Sequence, residues 1–545
     1  MRLRRRVRGN VLVGLGLFLT VAGPAAAQDY AATEQTLGVS PGPISRSPRL
    51  SGMGRLTVVG DDPHNRITLW DFAGNPAGIA SADSSSTLEL RPGTSSSSTM
   101  NDEIYTQGAF ERQTLAGHGM RTGFEGWRRA AGIAYGVFGD FNSLRMDEPY
   151  DAQVERRTQI SNPRVTGAIN GPMPYMKSGH MKYALTLLAG REASEDHFLT
   201  SVINGAGEYI DRDGTTLSPP NSFVPTERRR LSLGGSATVS YAFGHWLEAA
   251  TTGHFVSSEL SAFNTGGRYY SETREQLRGH RPYPIGQVTL IGHAGKHLEW
   301  GWDGRIWNAR SEQHWVFTIS AGIGQDPFSG RGTLARHEER GSESRARLRW
   351  TQGPFELGGG LSTGYLQNVI TPPDASDPTS LNQFLYVLYR RPNADTLAVP
   401  DSISLQRSEQ RVWQAAGGMA VRLPGRRGLV GVEYHKSQSE LLQAPGGMGP
   451  RQVSWDVRTG LEYRWTPVLT SRAGYIYSSR DLDELTANNE SLSHTATVGF
   501  SVQPTGAIWS FDTGYGLEWW RADYGDPALP RGTRQQLATQ LRWVF

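Results

Sequence analysis

A strict period of two in the last hundred residues restricts this chain more than any other feature. Leu537, Thr539, Leu541, Trp543 and Phe545 alternate with Gln536, Ala538, Gln540, Arg542 and Val544. The same rhythm runs through Trp509, Phe511, Thr513, Tyr515, Leu517 and Trp519, and through Leu492, His494, Ala496, Val498, Phe500 and Val502. It returns in Val453, Trp455, Val457, Thr459, Leu461, Tyr463 and Trp465. Successive side chains of a strand point to opposite faces, so each segment has one apolar and one mostly polar face. Alternation alone fits a soluble sandwich as well as a membrane barrel. Length separates them: these segments exceed the roughly 5–6 residues of an ordinary strand and suit a tilted bilayer crossing of about 9–11. Aromatic residues also gather at the segment ends, at Tyr463, Trp465, Trp509, Trp519, Trp543 and Phe545, as interfacial girdles require.

Working back from Phe545, weaker copies of the pattern predict strands near 469–480, 428–440, 408–422, 355–369, 343–352, 298–322, 283–294, 246–258, 230–242, 195–210, 177–190, 127–141, 102–116 and 86–92. The expected fold class is therefore all-β, a transmembrane antiparallel β-barrel of 14–18 strands over 86–545, with 18 as the count read here. Even counts are the rule for single-chain bacterial barrels. Short connections at 466–468, 423–427 and 503–507 would face one side, and long loops at 370–407, 323–342 and 259–282 the other.

Composition removes the competing classes. Beyond residue 27 no run of about 18 apolar residues occurs, which excludes a bundle of transmembrane helices. The absence of cysteine excludes disulfide scaffolds, thiolate metal sites and cysteine nucleophiles. Residues 1–27 carry a basic start, an apolar stretch from Val11 to Val21 and small residues at Ala25–Ala27, the plan of a cleaved signal peptide. Arg2, Arg4, Arg5, Arg6 and Arg8 lie inside it, so the formal charge of +3 becomes −2 after cleavage. That balance argues against a nucleic-acid partner.

The polar faces carry charge of both signs. Arg345, Arg347 and Arg349 share one strand, Asp456, Arg458, Glu462 and Arg464 another, with Glu433, Arg472, Asp512, Glu518 and Arg542 elsewhere. Facing lipid, each would cost several kcal/mol, so the lumen is their expected place, either as a brace within the wall or as a path for solute.

Between a periplasmic extension at 28–50 and the first strand lies a segment, 51–85, rich in turn-forming and small residues: Gly52, Met53 and Gly54, then Asp62-Pro63, then Asn75, Pro76, Ala77, Gly78, Ile79 and Ala80. Pro76 biases Asn75 away from helix, and the glycines let backbone approach a wall closely. Over residues 51–80 this segment resembles the N-terminal signature of the long-chain fatty-acid transporter family of outer-membrane barrels, although Ile79 stands where leucine is usual. The resemblance implies a hatch folded into the lumen, with Gly52, Met53, Gly54, Asn75, Pro76 and Gly78 as its marker residues. Likeness to outer-membrane proteins in general implies that the terminal Phe545 is read by the barrel-insertion machinery.

Motifs for catalysis or metal binding do not find their context. Gly360-Leu361-Ser362-Thr363-Gly364 matches a serine-hydrolase elbow on paper, but Ser362 falls inside an alternating strand run where strand–turn–helix is needed. His293 and His297 flank a turn, and Asp211-Arg212-Asp213-Gly214 lacks the later ligands of a calcium loop. No enzyme activity, cofactor or metal is expected. The expected function is an outer-membrane channel or transporter for small solutes, hydrophobic ones included, in a Gram-negative-type bacterium. The alternative is a non-transport barrel serving assembly, secretion or surface attachment. Expected partners are outer-membrane lipids, the insertion machinery and an unknown small solute.

Overall fold

The computed structural model describes residues 53, 55–59, 86–106, 109–130, 132–151, 154–174, 180–198, 202–203, 209–210, 226–266, 271–279, 283–319, 328–371, 406–443, 451–484, 487–523 and 531–545. Among them the chain forms β1 (Thr87–Thr106), β2 (Ala109–Ala130), β3 (Ile133–Asp151), β4 (Val154–Pro172) and β5 (Met181–Phe198). A two-residue hairpin, Val202–Ile203 with Tyr209–Ile210, lies apart from the main sheet. Then come β6 (Thr226–Phe243), β7 (Leu247–Gly266), β8 (Ser271–Gly279 continued by Tyr283–Ala294), β9 (Leu298–Ile319), β10 (Phe328–Gln352), β11 (Phe355–Thr371) and β12 (Gln406–Arg422). The last six are β13 (Gly428–Gln443), β14 (Arg451–Arg464), β15 (Leu469–Glu484), β16 (Ala487–Val502), β17 (Trp509–Asp523) and β18 (Arg531–Val544). The two parts of β8 pair in succession with the same neighbours, β7 and β9, and so act as one stave.

Each strand pairs antiparallel with its neighbours in sequence, and β18 returns to β1, from Val544 opposite Thr87 to Arg531 opposite Met100. Ser86 and Phe545 exchange backbone hydrogen bonds of 3.3 and 2.9 Å across the seam. The result is a closed 18-stranded barrel with no free edge, the one way a sheet satisfies its backbone in hydrocarbon.

Burial is inverted relative to a soluble fold. Large apolar side chains face outward, with Leu187 75% and Ile306 67% exposed, while Gln287, Glu356 and Glu433 on inward positions are about 1% exposed. At the end where β1 begins and β18 finishes the strands are joined by tight connections. Gly132 (φ 80°) and Gly353 (φ 60°) supply the left-handed residue that such turns need. The strand ends that flank the two longest intervals, 199–225 and 372–405, lie at the opposite end, which marks it as the external side.

Several sequence expectations need correction. The stretch 323–342 is not a long loop, because β10 begins at Phe328, and most of 259–282 likewise belongs to β7 and β8. The predicted strand 127–141 is broken at Gly132 into β2 and β3, and 102–116 spans the β1–β2 turn. The pair 177–190 and 195–210 is one strand, Met181–Phe198, while β4 at 154–172 was not anticipated. Thus the count of 18 agrees although two N-terminal assignments erred in opposite directions. The reason is physical: the unbroken strands run 14 to 25 residues, well beyond the bilayer, and above it no lipid enforces an apolar face. Charged stretches such as Glu155-Arg156-Arg157 therefore continue as strand without the membrane pattern.

Candidate functional site

The best-defined site on the lumen wall lies near the terminal end of β11–β18. Here inward positions in register form a row of small residues, from Ala420 opposite Gly431, through Gly460, Gly474 and Thr497, to Gly516. Residues 53 and 55–59, far upstream in sequence, lie against this row. Met53, Leu56 and Val59 are buried and pack with Ala420 and Leu429 into a small apolar cluster inside an otherwise polar lumen. The fit depends on missing side chains: a Cβ on Gly358 would stand 2.2 Å from the Val58 carbonyl oxygen, and one on Gly460 2.3 Å from that of Met53. Arg55 takes a left-handed conformation (φ 58°). Its carbonyl accepts from Arg458 Nη1 at 2.9 Å, and its guanidinium donates to Gln536.

One carboxylate fixes the segment. Glu433, almost wholly buried on β13, accepts from three consecutive backbone amides: Thr57 at 2.8 and 2.9 Å, Val58 at 2.6 Å and Val59 at 2.7 Å. Successive amides curved around an anion form a nest, and a charged acceptor makes each bond stronger than a neutral one. His435, two residues along the same face, holds Glu433 Oε2 at 2.8 Å. A segment with no sheet pairing thus has its amides satisfied by the wall.

Among the marker residues of the N-terminal signature, Gly52, Gly54, Asn75, Pro76 and Gly78 lie outside the described residues, and Met53 sits in the cluster above. The charges singled out from sequence fall into local sets. Arg472 joins Glu462 and Asp512, each at 2.8 Å. Asp456 pairs with Arg458 at 2.5 Å, and Arg349 with Glu299 at 2.5 Å. Arg345 pairs with Glu343, and Arg347 lies over Gly301. Arg542 meets Glu89 at 3.2 Å, and Glu518 stands in register with Thr495 and Arg534. Arg464 instead donates to the Pro467 carbonyl in the turn at the rim. Ser362 is mid-strand in β11 with its hydroxyl 3.5 Å from Gln414, so the elbow geometry is not formed. His297 Nδ1 donates to the Thr351 carbonyl oxygen, 2.7 Å away, tying the start of β9 to the end of β10.

Two features of the wall escaped the sequence reading. The first is a second charged set on β1 and β2, where Arg91 bridges Glu89 and Glu125 and Trp127 donates to Glu125 at 2.6 Å. Its only signal was inward parity on a strand whose middle is a run of serines. The second is a neutral sector on β5–β8, where Thr186 meets Ser236, Thr238 meets Thr252 at 2.9 Å, and His254 meets Gln287 at 3.0 Å. Next to it, the buried side chains of Asn170 and Ser240 have no hydrogen-bond partner among the described residues. Hydroxyl residues alternate too weakly on hydropathy grounds to be assigned to a face in advance.

The strand pairing, the closure and the inverted burial define a transmembrane β-barrel of the outer-membrane type. No family model and no curated protein matches the chain. Solved structures with a similar overall architecture include the Pseudomonas putida toluene transporter TodX, 10% identical over 92% of this chain and 97% of that one, with a TM-score of 0.32. A Pseudomonas aeruginosa FadL homologue is 9% identical over 92% and 99%, with a TM-score of 0.35. The siderophore receptor PiuA from Acinetobacter baumannii is 10% identical over 84% and 82%, with a TM-score of 0.41. At such identities and scores the fold assignment rests on this chain's own geometry, and the neighbours' solutes do not transfer.

Proposed function

We propose that this protein is an outer-membrane channel or transporter for small solutes of low net charge, hydrophobic ones included, in a Gram-negative-type bacterium, and that the N-terminal segment 51–85 acts as a hatch in its lumen. The observation that carries the reading is the docking of residues 53 and 55–59 on the small-residue row, with Glu433 holding three of their amides. A barrel of this strand number is too wide for side chains alone to fill, so a strand-free segment seated against the inner wall narrows a passage that would otherwise be open. The preference for low net charge follows from the mixing of signs within the wall: Arg472 bridges Glu462 and Asp512, Arg458 pairs with Asp456, Arg345 with Glu343 and Arg349 with Glu299, so acids and bases stand side by side.

The test is conductance in planar bilayers. Protein lacking residues 51–80 behind an intact signal peptide is expected to insert and to form pores of larger conductance than the intact chain, with a cation-to-anion permeability ratio near one. Equal conductance of the two forms would remove the hatch from the proposal. A barrel that conducts neither ions nor neutral solutes after the deletion would favour the assembly or attachment role instead.

A further inference from the structure

On the lipid-facing side of β12–β15 the wall is concave. Two register rows cross these four strands. In the first, Met419 and Tyr475 stand at the ends with Val432 and Thr459 between them. In the second, Val421, Val430 and Leu461 are followed by Ala473. These positions share the outward parity of Met419, 54% exposed, and Tyr475, 40% exposed. Where Thr459 and Ala473 fall beside longer neighbours the surface sinks, and the backbone of Gly431, Gly460 and Gly474 forms part of its floor. The result is a groove of about 580 Å³. On the lumen face of the same glycines Leu56 packs against Gly431 and Gly460, so one layer of backbone separates the groove from the docked segment.

Depth and chemistry identify what the groove can hold. Val421 is one residue from the end of β12, and Tyr475 lies six residues above the start of β15. At about 3.3 Å per residue and a tilt near 40°, the groove occupies the lowest 15 Å or so of the apolar band, the half that meets the inner leaflet. Beneath it on β14, Tyr463 and Trp465 meet edge to face at 4.8 Å, at the level where aromatic girdles meet headgroups. No lining residue is charged, and both lining hydroxyls are satisfied within the wall. Thr459 Oγ1 donates to the Tyr475 carbonyl at 3.3 Å, and Tyr475 Oη is 2.6 Å from His494 Nδ1. The groove therefore offers packing and no polar recognition. Its lining of eleven residues is also small for a second copy of the chain, since a stable protein interface takes roughly 20–30 residues a side.

We propose that this groove is a binding site for one acyl chain of an inner-leaflet phospholipid, held more tightly than the lipid around the rest of the barrel. A convex wall touches a chain along one side. A trough between Met419 and Tyr475 touches it along three, and dispersion attraction grows with each added contact. Tyr463 and Trp465 at the mouth set the height of the lipid's glycerol end.

The experiment uses the full-length protein in phospholipid vesicles doped with a phospholipid that carries a photoreactive diazirine midway along one acyl chain. After irradiation, crosslinks are located by mass spectrometry. They should concentrate on Met419, Thr459 and Tyr475, at roughly ten times the yield found at Leu185 and Leu187, which face lipid at similar depth on β5, a ratio equivalent to about 1.4 kcal/mol. Thr459→Phe with Ala473→Phe fills the trough with side chains that a bilayer tolerates and should lower the yield at Met419 and Tyr475 to that of β5. Ala346→Phe, outward on β10, should leave it unchanged. The crosslink map of the unaltered chain decides the matter if the double variant fails to fold. An even yield around the belt, or an undiminished yield in the folded double variant, overturns the proposal. So does competition by free fatty acid at equal concentration, which would mark a diffusing solute as the occupant. A groove yield that appears only when the barrels are diluted to one per vesicle would mark a second copy and overturn it as well.

Discussion

Replacing Glu433 by glutamine tests the docking of the N-terminal segment with the smallest possible change in shape. The native carboxylate accepts from Thr57, Val58 and Val59 through both oxygens, so each oxygen faces at least one amide donor. Glutamine keeps one acceptor oxygen and turns an NH2 group toward the other amides. Hydrogen bonds to a charged group contribute about 1.5–3 kcal/mol each, and at least one is lost outright while the rest become neutral. A loss of about 3 kcal/mol in docking follows, which raises the undocked fraction roughly a hundredfold at about 1.4 kcal/mol per factor of ten. Two assays read this on reconstituted protein: trypsin cleavage after Arg55, followed by mass spectrometry, and the frequency of large-conductance openings. Cleavage limited by opening tracks the undocked population, so both should rise while the barrel keeps its heat-modifiable migration. If the folded variant shows unchanged cleavage and unchanged openings, Glu433 does not hold the segment and the reasoning fails.

Other outcomes follow from the same geometry. Gly460→Val brings side-chain carbon to within about 2–3 Å of the Met53 carbonyl and should expel the segment more completely than Glu433→Gln, giving the conductance of the deleted form. Leu361→Arg, outward on β11, should destabilise the folded barrel in vesicles by about 2–4 kcal/mol, whereas Ser362→Arg, one residue along and facing the lumen, should cost less; equal costs in denaturant titrations would contradict the facing assigned here. Arg472→Met leaves Glu462 and Asp512 facing each other without their cation and should cost about 3 kcal/mol by the same titration, most of it recovered on adding Glu462→Gln and Asp512→Asn. Deleting Trp543–Phe545 removes the pairs Val544–Thr87 and Trp543–Leu88 from the seam and should abolish heat-modifiable protein; normal assembly of that truncation would show that the seam needs no terminal aromatic.

What the sequence determined by itself was the class of fold and the faces of its regular strands. In β14 and β16–β18 the lipid demands an apolar residue at every second position across its whole thickness, and that demand is written into the residues themselves. Leu461, Val498 and Leu537 face outward and Thr497 faces inward, as parity requires. The boundaries of β1–β5 and β10 were not legible, because strand that stands above the membrane is held by its neighbours' backbone and not by a local pattern. Only the tertiary structure decided the lumen site. Nothing near Glu433 in sequence announces that its carboxylate meets amides some 375 positions upstream, or that Gly358, Gly431 and Gly460 line up into a seat. That arrangement depends on the register between strands and on closure of the barrel, and both are properties of pairing between distant segments that one-dimensional periodicity does not encode.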